Sequence, residues 1–232
     1  MKYRRIGILG GMGPESTAAL YLKITRRTPI TREQDHLRII IDSNPKIPDR
    51  TEAIRSGSHD AAIRALTETA RNIERAGARL IGIPCNTAHA FLAEIRASVG
   101  VPIVDMVDEA SRRARDVFGE GTAVGLLSTD GVHLSRVYHE ALARASLTAI
   151  TPEAESQSTV MGVIREVKTG GVAERHRAAL AGPIGELHRR GAGALIAGCT
   201  EISLALSTYP PDLPWLDPLD VLAEALIREA RC

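Results

Sequence analysis

Aromatic residues are scarce: Phe, Trp and Tyr together make up 3% of the 232 residues, with a single tryptophan. So few rings leave little surface on which bases could stack, and the core must be filled by alanine and aliphatic side chains. Net charge is nearly absent, at +1 with both signs mixed along the length. That excludes the basic footprint of a nucleic-acid binder and leaves small polar molecules as the expected partners. No apolar run approaches the roughly 20 residues of a membrane span. The basic start of MKYRRIGILGGMG breaks at Gly10 without a small-residue cleavage site, so it reads as a first strand, and a cytoplasmic protein is expected. Cysteine is limited to three residues, with neither CxxC nor a Cys/His spacing suited to zinc. In a reducing compartment this leaves packing or chemistry for Cys85 and Cys199 and no assignable role for Cys232; neither a disulfide nor a metal is expected.

Short runs rich in Ile, Val and Leu alternate with amphipathic Ala- and Arg-rich stretches, the pattern of parallel strands covered by helices. Strands are expected near Arg5–Leu9, Leu37–Ile41, Leu80–Ile83, Ile103–Val104, Ala123–Leu127, Ala149–Thr151, Leu195–Ala197 and Trp215–Leu216. The chain also reads as one unit used twice. Gly77-Ala78 lies eight residues before Cys85 and Gly191-Ala192 eight before Cys199, an offset of 199 − 85 = 114. The octets VPIVDMVD from Val101 and LPWLDPLD from Leu213 correspond at 213 − 101 = 112, and Ile6–Leu9 corresponds to Val124–Leu127 at 124 − 6 = 118. Matched segments in the same order predict an α/β fold of two pseudo-symmetric domains, each a mostly parallel sheet flanked by helices. The expected halves are 1–100, with 208–232 packing back on it, and 101–207. Equivalent strand ends would then face each other across an inter-domain cleft. Active sites of open parallel sheets lie at the carboxyl ends of strands, where both cysteines fall.

Cys85 lies in Pro84-Cys85-Asn86-Thr87-Ala88-His89, between a strand and a helical pattern at Ala90–Ser98, and Cys199 lies in Gly198-Cys199-Thr200-Glu201, between a strand and another helical run. The same geometry is expected at both: a thiol in a strand-to-helix turn, partly ionised near neutrality by unpaired amides and the helix dipole. Asn86, Thr87 and Thr200 add hydrogen-bonding groups beside the sulfurs. Inverting a stereocentre by proton transfer needs a base on one face of a carbon and an acid on the other. One thiolate and one thiol would supply both, titrating as a coupled pair. Either cysteine alone also fits a small buried core residue.

Other residues bear on this chemistry. Gly11-Met12-Gly13-Pro14-Glu15-Ser16 falls one glycine short of the dinucleotide fingerprint. Pro14 suits a first helical position, and Ser16 and Thr17 suit a cradle for a carboxylate. Arg50 ends a loop stiffened by Pro45 and Pro48, where a guanidinium could clamp a carboxylate in bidentate fashion. His89, four residues after Cys85, is compatible with a cysteine hydrolase or with a packing histidine. Lys168 raises a Schiff base with pyridoxal phosphate, but no pyridinium partner or phosphate cradle is recognisable around it.

GILGGMGPEST, SNPKIPDRT, PCNTAH, the TP-x-x-x-x-Q stretch from Thr151 to Gln157, and AGCTE together resemble the aspartate/glutamate racemase family, most closely its aspartate racemases, from Arg5 to about Leu206. The resemblance implies two pseudo-symmetric α/β domains with the active site between them, no cofactor, and a homodimer. It implies cofactor-independent racemisation of L-aspartate to D-aspartate with Cys85 and Cys199 as the acid/base pair. It carries substrate carboxylate contacts onto Arg50 and Lys168, and supporting contacts onto Met12, Ser16, Thr17, Asn86, Thr87, Thr129 and Thr200. Val132 stands where relatives tend to carry threonine, which bears on side-chain specificity. Both cysteines are retained, which argues against a decarboxylase, and Glu201 in place of histidine leans toward the aspartate branch. The alternatives are a glutamate or broad-specificity racemase on the same fold, a cysteine hydrolase, and a non-catalytic ligand-binding protein.

Overall fold

The computed structural model describes residues 3–231, so Cys232 lies outside them. The chain divides into two compact units: the first runs to Glu109 and resumes at Leu219, and the second is Ala110–Pro218. These divisions fall later than the expected 100/101 and 207/208, and strand pairing gives the reason. Ile103 bridges Ile81 in parallel, and the Val104 amide donates to the Ile81 carbonyl, which keeps the segment after Gly100 with the first sheet. Trp215 and Leu216 pair with Leu195 and Ile196, which keeps the segment after 207 with the second.

In the first unit, β1 (Ile6–Gly10), α1 (Pro14–Arg27), β2 (Ile39–Ser43), α2 (Arg50–Ser56), α3 (Asp60–Arg75), β3 (Leu80–Gly82) and α4 (Leu92–Ala97) follow one another, and α5 (Met106–Phe118) carries the chain onward. The three strands are parallel in the order β2-β1-β3. As the central strand, β1 is buried at every residue, which is why it reads as a continuous apolar run. β2 is an edge strand and tolerates the polar Asp42 and Ser43, which pair with Leu9 and Gly10; it lies two residues later than the hydrophobic pattern alone suggests. Helix α3 buries Ala62, Leu66, Ala70 and Ile73 at helical spacing.

The second unit repeats this plan. β4 (Ala123–Ser128), α6 (Asp130–Ser135), α7 (Val137–Arg144), β5 (Thr148–Ile150), α8 (Ala154–Gly170), α9 (Glu174–Arg189), β6 (Ala194–Gly198), α10 (Thr200–Thr208) and β7 (Trp215–Leu216) follow in order. Its strands are parallel in the order β5-β4-β6-β7. Helix α11 (Pro218–Ala230) then brings Leu222, Ala223 and Leu226 into the apolar layer formed by Ile6, Ile8, Leu20 and Ile24 of the first unit.

Strand register reproduces the sequence repeat. Ile6 pairs with Leu80 and Val124 with Ala194, giving 124 − 6 = 118 and 194 − 80 = 114. Ile81 bridges Ile103 and Leu195 pairs with Trp215, giving 215 − 103 = 112. The conserved spacing has a steric cause at one glycine of each half. A Cβ on Gly7 would lie 2.2 Å from Ile73 Cγ2 and 2.9 Å from Ala78 Cβ; one on Gly125 would lie 3.1 Å from Leu187 Cδ1 and 3.3 Å from Ala192 Cβ. In both halves a helix, and the turn after it, press directly on the central strand.

Candidate active site

In the first unit, β1 leaves the sheet at Gly10 and turns through Gly11, Met12 and Gly13 into α1. Gly11 has φ +92°, and a Cβ there would lie 2.3 Å from the Asn44 carbonyl carbon, so the loops after β1 and β2 touch backbone to backbone. Thr17 locks the turn: its Oγ1 accepts from the Gly11 amide at 2.9 Å and donates to the Gly13 carbonyl at 3.0 Å. A hydroxyl has one proton, so in this conformation Thr17 holds the loop and offers none to a substrate carboxylate. Ser16 is buried beside it. Met12 joins Ile47 and Cys85 in one apolar cluster.

Arg50 opens α2 and does not sit in the loop before it, because Asp49 caps the helix by accepting from the Glu52 amide at 2.8 Å. Its guanidinium folds back on the stiffened loop: Nη1 donates to the carbonyls of Pro48 at 3.0 Å and Ile47 at 3.2 Å. Among the described residues the buried Nε has no acceptor. A buried charged donor left unpaired is costly, and a carboxylate oxygen would satisfy it.

Cys85 lies at the carboxyl end of β3, buried together with Asn86 and Thr87. The helical pattern expected to begin beside it is preceded by a 3-10 turn, Thr87–Phe91, so Cys85 is not at an α-helix N-terminus and the two thiols do not share one geometry. His89 accounts for the tighter turn. Its Nε2 accepts from the Met106 amide at 3.1 Å, which places the proton on Nδ1, and Nδ1 donates to the Cys85 carbonyl at 2.9 Å. Burial lowers the pKa of His89 against the pull of Asp105, so the ring is neutral. Both nitrogens are spent on backbone, which leaves neither for the thiol and removes the support for a Cys/His hydrolase.

Cys199, at the end of β6, is the N-cap of α10. Its Sγ donates to Glu201 Oε2 at 2.8 Å, and the Thr200 hydroxyl donates to the same oxygen at 3.2 Å. Burial, and then the Glu201 charge, push the Cys199 thiol well above its ordinary pKa; the Lys168 ammonium, in the last turn of α8, pulls the other way and loses. The expected partial ionisation is thus reversed here. A helix terminus contributes about 0.3–1 kcal/mol, too little against desolvation and a contacting carboxylate. Glu201 is only 5% exposed; the sequence marks it as a sign of the aspartate branch, but not as the partner of the thiol.

At the end of β4, Thr129 caps α6 by accepting from the Val132 amide at 3.3 Å, and Val132 is fully buried. Sequence reasoning missed the network beside it. Gln157 Nε2 donates to the Ser128 carbonyl at 3.0 Å and to Asp130 Oδ1 at 2.8 Å. That orients its Oε1 toward His133 Nε2, 3.1 Å away, and the Ser128 hydroxyl lies 3.2 Å from the same nitrogen. Burial lowers the His133 pKa to about 4, so this ring too is neutral. Only Gln157, the end of the TP-x-x-x-x-Q stretch, belonged to a recognisable motif.

Among the described residues no helix is long and apolar enough to cross a membrane. The sequence is 26% identical to the broad specificity amino-acid racemase RacX of Bacillus subtilis over 226 residues, 96% of each chain. The fold matches that of the Picrophilus torridus aspartate racemase with a TM-score of 0.83 at 30% identity, over 98% of this chain and 94% of that one. It matches an aspartate racemase homologue from Pyrococcus horikoshii with a TM-score of 0.79 at 25% identity, over 100% of both chains. Residues 9–226 match the Asp/Glu/Hydantoin racemase family, and the chain belongs to that family.

Proposed function

We propose that this chain racemises an acidic amino acid, interconverting L- and D-aspartate without a cofactor, by two-base proton transfer between Cys85 and Cys199. The observation that carries the reading is the position of the two buried cysteines at the carboxyl ends of β3 and β6, strands that hold the same place in the two sheets. Racemisation removes a proton from one face of the α-carbon and returns one to the other, so both sulfurs must reach a single ligand. Cys199, kept protonated by burial and Glu201, enters as the acid, and Cys85 is the base for that direction; the roles exchange in the reverse. Arg50 takes one substrate carboxylate through the Nε that lacks an acceptor, and Lys168 takes the other. Loop amides and the polar groups of Asn86, Thr87 and Thr129 stabilise the carbanion, while the Thr200 hydroxyl stays on Glu201.

The names of the Picrophilus and Pyrococcus relatives favour aspartate. A second reading, a racemase of broad specificity, is favoured by the likeness to RacX along the whole chain and by the buried, hydroxyl-free Val132. Both are tested with purified, cofactor-free protein in heavy water, followed by chiral chromatography of an amino-acid panel. Aspartate should racemise fastest and acquire solvent deuterium at the α-carbon. Product enantiomer without deuterium would rule out the two-base route, and faster turnover of neutral amino acids would select the second reading.

A further inference from the structure

The opposite end of the first sheet carries a feature that the proton transfer does not use. Tyr3, Arg4, Arg5, His36, Arg38 and Arg79 line a concavity of about 600 Å³. Arg5, Arg38 and Arg79 immediately precede Ile6, Ile39 and Leu80, and Ile6 pairs in register with both of the others. The three arginines therefore stand at one level across the amino-terminal edge of the sheet in the order β2-β1-β3, with Arg5 in the centre. Adjacent strands lie about 4.8 Å apart, so the row spans roughly 10 Å. Among the described residues none of the four guanidiniums is ion-paired or hydrogen-bonded through its side chain. The Arg5 guanidinium lies over Gly77, at φ +100°, where a Cβ would come 3.1 Å from Arg5 Cζ.

The second unit supplies an internal control. The residues at the equivalent level, immediately before Val124, Ala149 and Ala194, are Ala123, Thr148 and Gly193. The fold thus builds this edge without a single charge, and the arginines of the first unit serve something other than folding. Clustered unpaired guanidiniums repel one another and are relieved by an anion of matching charge density. A row only one sheet wide is too short to track a nucleic-acid backbone, which needs an extended basic stripe.

We propose that this edge is a binding site for a small ligand carrying a chain of two or three phosphates, separate from the cysteine chemistry. Five residues of β1 separate this edge from the catalytic loop, roughly 16 Å at 3.3 Å per residue, so such a ligand does not compete with substrate. The test is calorimetric titration of the full chain with tripolyphosphate, pyrophosphate, phosphate and a nucleoside triphosphate at low salt. One equivalent of tripolyphosphate should bind, more tightly than pyrophosphate and much more tightly than phosphate. The Arg38→Gln/Arg79→Gln double variant should weaken binding at least tenfold, while Arg38→Lys/Arg79→Lys keeps more of it; both positions are exposed, and melting curves verify the fold. Tighter binding of the nucleoside triphosphate than of tripolyphosphate assigns the ligand as a nucleotide, and equal or weaker binding assigns the phosphate chain itself. No saturable binding of tripolyphosphate, equal affinity in the Gln variant, displacement by aspartate, or tighter binding of a duplex oligonucleotide would each overturn the assignment. None of these readouts depends on racemase activity.

Discussion

Replacing Glu201 with Gln tests the electrostatics of the Cys199 thiol most directly. The carboxylate accepts the thiol proton at 2.8 Å, and both groups are almost wholly buried. When the thiol ionises, two negative charges stand roughly 4 Å apart between their centres, which costs about 4 kcal/mol at an effective dielectric of about 20. Glutamine keeps the shape, and its carbonyl oxygen can still accept from the thiol, but the charge is gone. With part of the repulsion surviving as the amide dipole, roughly 2–3 kcal/mol of thiolate destabilisation should disappear, raising the thiolate fraction at neutral pH on the order of a hundredfold. In a Cys85→Ser/Cys232→Ser background Cys199 is the single reporter, read by its alkylation rate with iodoacetamide and by thiolate ultraviolet absorbance against pH. Alkylation should accelerate and the absorbance midpoint should move to lower pH. An unmoved midpoint in a folded variant would refute the assignment of Glu201 as the group that holds the proton on Cys199.

Single Cys85→Ser and Cys199→Ser substitutions should each lower kcat by at least the 10²–10⁴-fold typical of a general acid or base, measured by chiral chromatography; activity within tenfold of the parent removes that residue from the mechanism. His133 is held neutral in the fold, with a pKa of about 4 against an ordinary 6.5. Between those values the unfolded chain binds the extra proton, so stability is lost as pH falls from about 6.5 toward 4, with about 3 kcal/mol from this group. A His133→Gln variant should show a shallower loss across that window in chemical denaturation, and an unchanged slope would reject the account. Gly7→Ala places a Cβ 2.2 Å from Ile73 Cγ2 and should cost about 1–3 kcal/mol by overpacking, read as a lower melting midpoint. A neutral result would mean that α3 can move away from β1 at no cost.

The parallel sheets and their duplication were legible in the sequence because both rest on local pattern. Seven of the eight expected strands form, and the eighth, at Ile103, is reduced to a single bridge. The offsets of 118, 114 and 112 recur as register because Gly7 and Gly125 press the same kind of helix against the same strand. Protonation was not legible. Proximity to a helix end suggested an ionised thiol at Cys199, whereas burial and a carboxylate two residues away set the opposite state, and neither burial nor side-chain direction is written in local spacing. The 3-10 turn after Cys85 was hidden for a related reason: it depends on His89 meeting the Met106 amide, a contact across 17 residues.

Comparison of the two halves separates what the scaffold repeats from what it varies. With the cysteines aligned, His89 corresponds to Ser203 at 203 − 89 = 114, and each residue ties the turn after its cysteine to the octet that follows. His89 accepts from the Met106 amide, and Ser203 donates to Asp217 Oδ1 at 2.8 Å. The difference has a simple cause: at the octet offset of 112, Met106 corresponds to Pro218, which has no N–H to offer, so the second half uses a carboxylate acceptor and a hydroxyl donor instead. The position two residues after the cysteine, in contrast, changes from Thr87 to Glu201. On the proposed reaction this makes the resting state unsymmetrical although the supports are alike, with the proton held on Cys199. An enantiomer pair has an equilibrium constant of unity, so kcat/KM must be equal in the two directions, and any bias from Glu201 can appear only as kcat and KM changing together. The carboxylate therefore decides which half-reaction waits for a proton, without favouring either product.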